Sequence, residues 1–284
     1  MKVLWLAAHP DPRSLNGSLY GEGVRFLEEQ GHEVRTSDLY AMGWNPVVSA
    51  ADFSHGQGGP SQGGGPLPHG QGERLVVGSA AEEAVRRGTL SPDILAEHEK
   101  LSWADTLIVQ FPLWWYGMPA ILKGWFDRVF VRGFAFGIHD AQGRQLRYGE
   151  GALAGKRAMV VVSAGAREAS LGARGINGEL GDLLFPLQHG TLWYAGIDVL
   201  PPLLVHGADR VDAAAYEAHA DALRRRLKDL PHTRPIPFRH QNGGDYDENL
   251  VLRPALSPHT TGLAVHHRAE DEDGTPPPGA RQGH

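Results

Sequence analysis

The sequence predicts an α/β fold: a three-layer, doubly wound sheet of five parallel strands. Short, continuous apolar runs recur along the chain, as expected of strands covered on both faces. Between them lie capped helical stretches with one-sided apolar stripes, so strand and helix alternate. With 284 residues, 41% hydrophobic and 21% charged, the chain can also build a core large enough for such a sheet.

Residues 3–8 (VLWLAA) are the first strand, which stops where Pro10 and Pro12 remove ladder donors. Ser14 or Asn16 can cap the next helix; Leu15, Leu19, Val24 and Leu27 form its stripe, and Gly31 ends it. Residues 32–39 (HEVRTSDL) are a second, weaker strand and complete a βαβ unit. A Gly- and Pro-rich stretch, 54–72, then interrupts the pattern. It holds too little apolar surface to offset its ordering entropy, and reads as a mobile insertion or as a lid over a ligand.

Helix resumes over 91–102 behind Ser91-Pro92, and 105–110 (DTLIVQ) is the third strand. Pro119 opens a helix that runs to Phe130, with Ile121, Leu122, Trp125, Phe126, Val129 and Phe130 on its stripe. Residues 156–163 (KRAMVVVS) are the fourth strand, and 183–194 read as one helix. Residues 197–205 (IDVLPPLLV) read as a single fifth strand, placed at an edge by its double proline. Asp212 caps the clearest helix, which buries Tyr216, Ala220, Leu223 and Leu227 and stops at Pro231. Right-handed crossovers and a strand order of 2-1-3-4-5 fit this count. One domain is therefore expected at 1–230, followed by an irregular C-terminal extension, 231–284, disordered beyond 270.

A formal charge of -6 and a pI near 6.2 provide no field for nucleic acid or anionic lipid. The absence of cysteine excludes disulfides, thiolate metal sites and a cysteine nucleophile, and no metal-binding spacing occurs. The apolar start is too short for a signal-peptide core, and no stretch is long enough to span a bilayer. A cytoplasmic protein with no membrane insertion is expected.

In a doubly wound sheet, ligands lie beyond the carboxyl ends of the strands, where strand order reverses. Three loops leave strands there. The first, 9–18, offers Arg13, Ser14, Asn16 and Ser18 at a helix start, a set that suits phosphate but also serves ordinary capping. It contains neither G-x-G-x-x-G nor a Walker A pattern. The second, 111–117, carries Phe111, Trp114, Trp115 and Tyr116, rings that a surface connection would leave exposed. The third, 163–175, has Gly165 among small neighbours, so backbone can approach a ligand edge. Phosphate at the first loop and a flat ring against the other two describe a flavin.

The segments AHPDPRSLNGSL, SDLYAMGWNPVVS, FPLWWYGMPAILKGWFDRVF and GINGELGDLLFPLQHGTLWYAGIDVLPP resemble the NAD(P)H quinone oxidoreductases, the DT-diaphorase-like branch of flavodoxin-fold proteins. The resemblance covers most of residues 2–230 and keeps segment order. It implies a flavodoxin-like fold and a homodimer that passes hydride from NADPH or NADH through a bound flavin to a quinone. By position, His9, Arg13, Ser14, Leu15, Asn16 and Ser18 match the segment for the flavin's phosphates and ribityl chain. Pro112, Leu113, Trp114, Trp115 and Tyr116, with Ser163, Ala164, Gly165 and Ala166, match the loops that hold its ring. Trp115, Tyr116 and Tyr194 match the substrate walls, and Phe136 a residue that reaches in from the partner subunit. The chain length and the segment after Leu230 resemble the FAD-binding members; FMN is the alternative.

Two positions depart from the family. A tyrosine and a histidine that assist hydride transfer are replaced by Leu171 and Asn177. Leucine cannot donate a hydrogen bond, and asparagine cannot titrate. Asn177 and Arg167 are the candidates left to stabilise charge at the ring. The same features also fit an ancillary subunit of the potassium-efflux type with little turnover, an azoreductase, or an electron carrier like flavodoxin, although the chain is much larger than such carriers.

Overall fold

The computed structural model describes residues 1–54 and 74–268. The expectations for the Gly/Pro-rich stretch after Ser54 and for the chain beyond 270 lie outside the described residues. The sheet contains β1 (Lys2–Ala7), β2 (Glu33–Asp38), β3 (Thr106–Pro112) and β4 (Arg157–Ala164), and on its far side β5 (Asp198–Val199) and β6 (Leu203–His206). Its order is β2-β1-β3-β4-β5, with β6 also paired to β4, and every pairing is parallel. The expected fifth strand is thus two strands. Pro201 and Pro202 supply no N–H groups, so the ladder breaks between them and resumes at Leu203.

Strand side chains alternate between two cores, which makes three layers. Leu4, Leu6, Leu107, Val109, Phe111, Val160 and Val162 face one side. Val3, Trp5, Ile108, Met159 and Val161 face the other, under α1 (Leu15–Glu29) and α6 (Ala213–Asp229). Ser14 caps α1 and Asp212 caps α6, each accepting from the backbone N–H three residues on. On the first side lie α2 (Val77–Arg87), α3 (Pro92–Trp103), α4 (Ala120–Val129) and α5 (Leu180–Leu187). α2 is not expected from the sequence, because its buried stripe is three alanines: Ala80, Ala81 and Ala84. The helix expected over 183–194 is α5 followed by a π-helical turn, Gln188–Trp193. Pro186 withholds one helical donor, and the ladder beyond it widens, with the Tyr194 N–H donating to the His189 carbonyl.

Gly23 sets the spacing between α1 and the sheet. A Cβ there would lie 2.1 Å from the Trp5 ring. Gly23→Val is therefore expected to cost about 1–3 kcal/mol through overpacking. A urea melt reads this as a lower midpoint; an unchanged midpoint would mean that Trp5 moves aside freely.

Residues 231–268 pack against α5 and the π-helical turn without forming long regular elements. Arg239 is 1% exposed; its Nε donates to the Val265 carbonyl (3.0 Å) and its Nη1 to Asp245 (2.9 Å). Trp193 Nε1 donates to the Arg239 carbonyl at 3.2 Å. Phe238 is buried against His189 and His267, at ring separations of 5.0 and 4.9 Å.

Burial, and after it the nearby His266 and His267, pull His189 from the usual 6.5 to about 4. Burial lowers His240, His266 and His267 as well. A histidine with a depressed folded pKa gains its proton on unfolding, so below 6.5 the unfolded chain binds more protons than the folded one. Stability is full above that pH and falls toward pH 4, by on the order of 2 kcal/mol for His189 alone. Urea midpoints measured across this window should fall steadily, and His189→Phe should flatten the slope. A wild-type midpoint constant with pH would contradict this.

Candidate functional site

The three ligand loops converge at the carboxyl end of the sheet. In the first, the Asp11 N–H donates to His9 Nδ1 at 3.1 Å, and the Ser14 hydroxyl lies 2.9 Å from the same nitrogen. Nδ1 is thereby an acceptor, so the neutral ring carries its proton on Nε2. Ser14 Oγ also accepts from the Gly17 N–H, which leaves the Leu15 and Asn16 N–H groups without a partner among the described residues. Ser18 N–H is used within the turn, donating to the Ser14 carbonyl. The Arg13 guanidinium folds back on Asp11, at 3.1 and 3.0 Å, and lowers the pKa of that carboxyl. Both groups are solvent-facing, so this pair is cheap to open.

Asn16 is buried and links the loops. Its Nδ2 donates to Ser163 Oγ at 2.6 Å, and its carbonyl accepts from Gln110 Nε2 at 2.8 Å. Gln110 Oε1 in turn accepts from Trp5 Nε1 at 2.9 Å. One polar chain thus crosses β1, β3, α1 and β4. A cavity of about 60 Å³ lies beside it, lined by Ala8, His9, Pro12, Asn16 and Gly17.

The second loop is a tight turn. Trp114 and Gly117 exchange backbone hydrogen bonds at 3.1 and 3.0 Å, enclosing Trp115 and Tyr116 with φ of +51° and +61°. Two successive left-handed residues make a type I′ turn, which normally takes Asn-Gly. Two bulky aromatics there are strained, and both rings face outward: Trp115 is 97% exposed and Tyr116 51%. Trp114 lies 6.2 Å from the His9 ring, and the Leu113 N–H donates to the Ser163 carbonyl at 2.8 Å. Pro112 ends β3 in the core.

The third loop is tied to the second. Tyr116 OH donates to Asn177 Oδ1 at 3.1 Å, and Asn177 Nδ2 donates to Ser170 Oγ at 3.0 Å. Ser170 Oγ then donates to the Arg167 carbonyl at 2.7 Å. The Arg167 side chain is exposed and has no partner among the described residues. Leu171 is buried and presents nothing to a ligand. Ser163 and Ala164 complete β4; the Ala166 carbonyl accepts from the Gly207 N–H. Gly165 is pressed on by Asp209, whose Oδ2 lies 2.0 Å from where a Cβ would stand. Arg210 donates to the Gly165 carbonyl at 3.3 Å.

The four residues matched to substrate walls fall into two pairs. Phe136 and Tyr194 meet edge to face at 6.2 Å and line a cavity of about 360 Å³. Trp115 and Tyr116 do not line that cavity, and no ring contact joins the two pairs among the described residues. Three residues not expected at the site support it: Gln110, Asp209 and Arg210. Gln110 left a trace, as an amide closing an otherwise apolar strand. Asp209 and Arg210 left none, because the loop they brace lies more than forty positions upstream.

A family profile described as a flavodoxin-like fold matches residues 1–227. The chain is 44% identical over 276 residues to a ribosyldihydronicotinamide dehydrogenase-like protein of Penicillium crustosum, across 96% of this chain and 97% of that one. It is 33% identical over 237 residues to NAD(P)H dehydrogenase (quinone) 1 of Cavia porcellus, across 84% of this chain and 80% of that protein. Among solved structures, a candidate quinone reductase from Klebsiella pneumoniae is similar with a TM-score of 0.85 and 49% identity, across 94% of this chain and 100% of that one.

Proposed function

The chain belongs to the flavodoxin-like family, in its quinone-dehydrogenase branch, and is an oxidoreductase; from that premise we propose that it carries two electrons as hydride from NADPH or NADH, through a bound flavin, to a quinone. The observation that carries this reading is the strained Trp115–Tyr116 turn. Exposed rings held in a costly backbone fit one flat face of a planar cofactor. We take the flavin to be FAD, with FMN as the alternative.

The first loop fits the phosphate end. His9 Nε2 and the Leu15 and Asn16 N–H groups are donors at the positive end of α1, Ser18 and Ser14 add hydroxyls, and Arg13 can turn from Asp11 toward an anion. Pro112 to Trp114 and Ser163 to Ala166 supply backbone at the ring, while Trp115 and Tyr116 cover it from the acceptor side. A bound flavin would supply the redox chemistry itself. Asn177 positions Tyr116 and cannot hold a proton, so charge at the ring falls to backbone N–H groups and to Arg167. Phe136 and Tyr194 form the facing wall, and a second copy of the chain brings that wall over the turn. A quinone panel should therefore show turnover that depends on dimer concentration.

Leu171 and Asn177 favour one other reading, an ancillary subunit that binds flavin without useful turnover. A single experiment separates the two. The purified protein should be yellow, and excess NADPH or NADH should bleach it within seconds without oxygen. A yellow protein that no reduced nicotinamide, nucleotide or riboside, can bleach would overturn the proposal in favour of the ancillary role, and mass spectrometry of the extracted flavin decides FAD against FMN.

A further inference from the structure

A second cavity, of about 450 Å³, lies between residues 231–268 and the α5–π-helical turn. That volume is in the range of small-molecule sites, which span about 300–1,000 Å³. Its walls combine Tyr148, Phe185 and Leu250 with Arg147, His189, Tyr246 and His266. It shares Pro186 and Gly190 with the Phe136–Tyr194 cavity but contains no residue of the three ligand loops.

Most of its polar groups are already matched. Tyr246 OH and His266 Nδ1 are 2.9 Å apart, Arg239 is bound to Asp245, and Gln241 Nε2 donates to the Gln145 carbonyl. Two groups are left over. His189 is 9% exposed, yet its imidazole has no hydrogen-bond partner among the described residues. Tyr148 and Phe185 stack on it at 4.9 and 4.5 Å, so its faces are covered and only its edge is left to line the cavity. Arg147 is half-buried and meets no carboxylate among the described residues; its Nε donates to Gln241 Oε1, which leaves the terminal N–H groups available. Its guanidinium lies 6.0 Å above the Tyr148 ring and 5.9 Å above the Tyr194 ring. Asp245 serves Arg239 and Arg268, and no carboxylate among the described residues pairs with Arg147.

We propose that this cavity is a binding site for a planar aromatic carboxylate, whose ring lies across the edges of the Tyr148–His189–Phe185 stack and against Leu250, and whose carboxylate pairs with Arg147. The guanidinium fork suits a carboxylate, and aromatic walls suit a flat ring. His189 is neutral near pH 7, so it can donate from one nitrogen and accept at the other.

Calorimetric titration of the flavin-loaded protein with 2-naphthoate and with its neutral isostere, 2-naphthamide, tests this without any electron donor. One 2-naphthoate per chain is expected, bound at least about fivefold more tightly than the amide, which lacks the charge-assisted contact. Arg147→Gln should weaken the carboxylate about tenfold and remove that difference. His189→Phe should leave the preference for the carboxylate in place, and Trp115→Ala should leave both affinities as they were. Equal binding of the two probes, an unchanged carboxylate affinity in Arg147→Gln, or loss of binding in Trp115→Ala would each overturn the site. Circular dichroism confirms that each variant is folded.

Discussion

Arg128→Met is expected to destabilise the fold by about 3–5 kcal/mol, the usual result of leaving a buried charge without its partner. Arg128 is 4% exposed on α4, with Nε and Nη2 donating to Asp52 at 3.1 and 2.9 Å. Nη1 donates to Asp93 at 2.6 Å and to the Asn45 carbonyl at 3.0 Å, and the guanidinium lies 4.7 Å over the Trp44 ring. One side chain thus clamps the turn at 50–53, the start of α3 and the loop after β2. Methionine matches the length and removes the charge, so the Asp52 carboxylate remains buried among groups that cannot neutralise it. A thermal midpoint lower by roughly 10 °C is the expected reading for a chain of this size. Arg128→Met combined with Asp52→Leu should recover much of the loss, because the penalty lies in the orphaned carboxylate. If the double variant is no more stable than the single one, the clamp is geometric and the electrostatic account is wrong.

Replacing Trp115-Tyr116 with Asn-Gly is expected to move stability and activity in opposite directions. Non-glycine residues in the left-handed region cost about 1–2 kcal/mol each, and Asn-Gly occupies both turn positions with little strain. The flavin-free protein should therefore melt several degrees higher, at roughly 2 °C per kcal/mol. Losing both rings should lower turnover with a quinone at least about tenfold, because a single ring contact is worth up to about 1.5 kcal/mol. The Tyr116–Asn177 hydrogen bond disappears as well, so the third loop should exchange amide protons faster near Asn177. A variant that melts higher and works as well as the parent would show the strain to be incidental to function.

The strands were legible because a parallel sheet buries both faces, and continuous apolar runs such as 3–8 and 156–163 have few other uses. The caps at Ser14 and Asp212 were legible for a similar reason: each is a local contact within three residues. α2 was not legible. Its buried face is alanine, which is as common on helix surfaces as in cores and gives no contrast. The strand break at Pro201-Pro202 was half visible, since the prolines pointed to an edge without revealing that pairing resumes after them. At the site, the aromatic loop could be read from composition, but not its turn type, because nothing in Trp-Tyr suggests two positive φ values. Nothing local in the sequence marks Arg128; its burial follows from Asp52, which only the tertiary fold brings near.

The divided strand has a consequence for assembly. One border of the sheet is formed by two fragments of two and four residues separated by a pair of prolines. The other border, β2, carries Glu33, Arg35 and Asp38. Neither offers the long, flat, uncharged row of backbone donors and acceptors that another chain needs to add a strand. Among the described residues, both borders of the sheet are therefore poor templates for strand addition, which works against fibrous growth by edge-to-edge pairing.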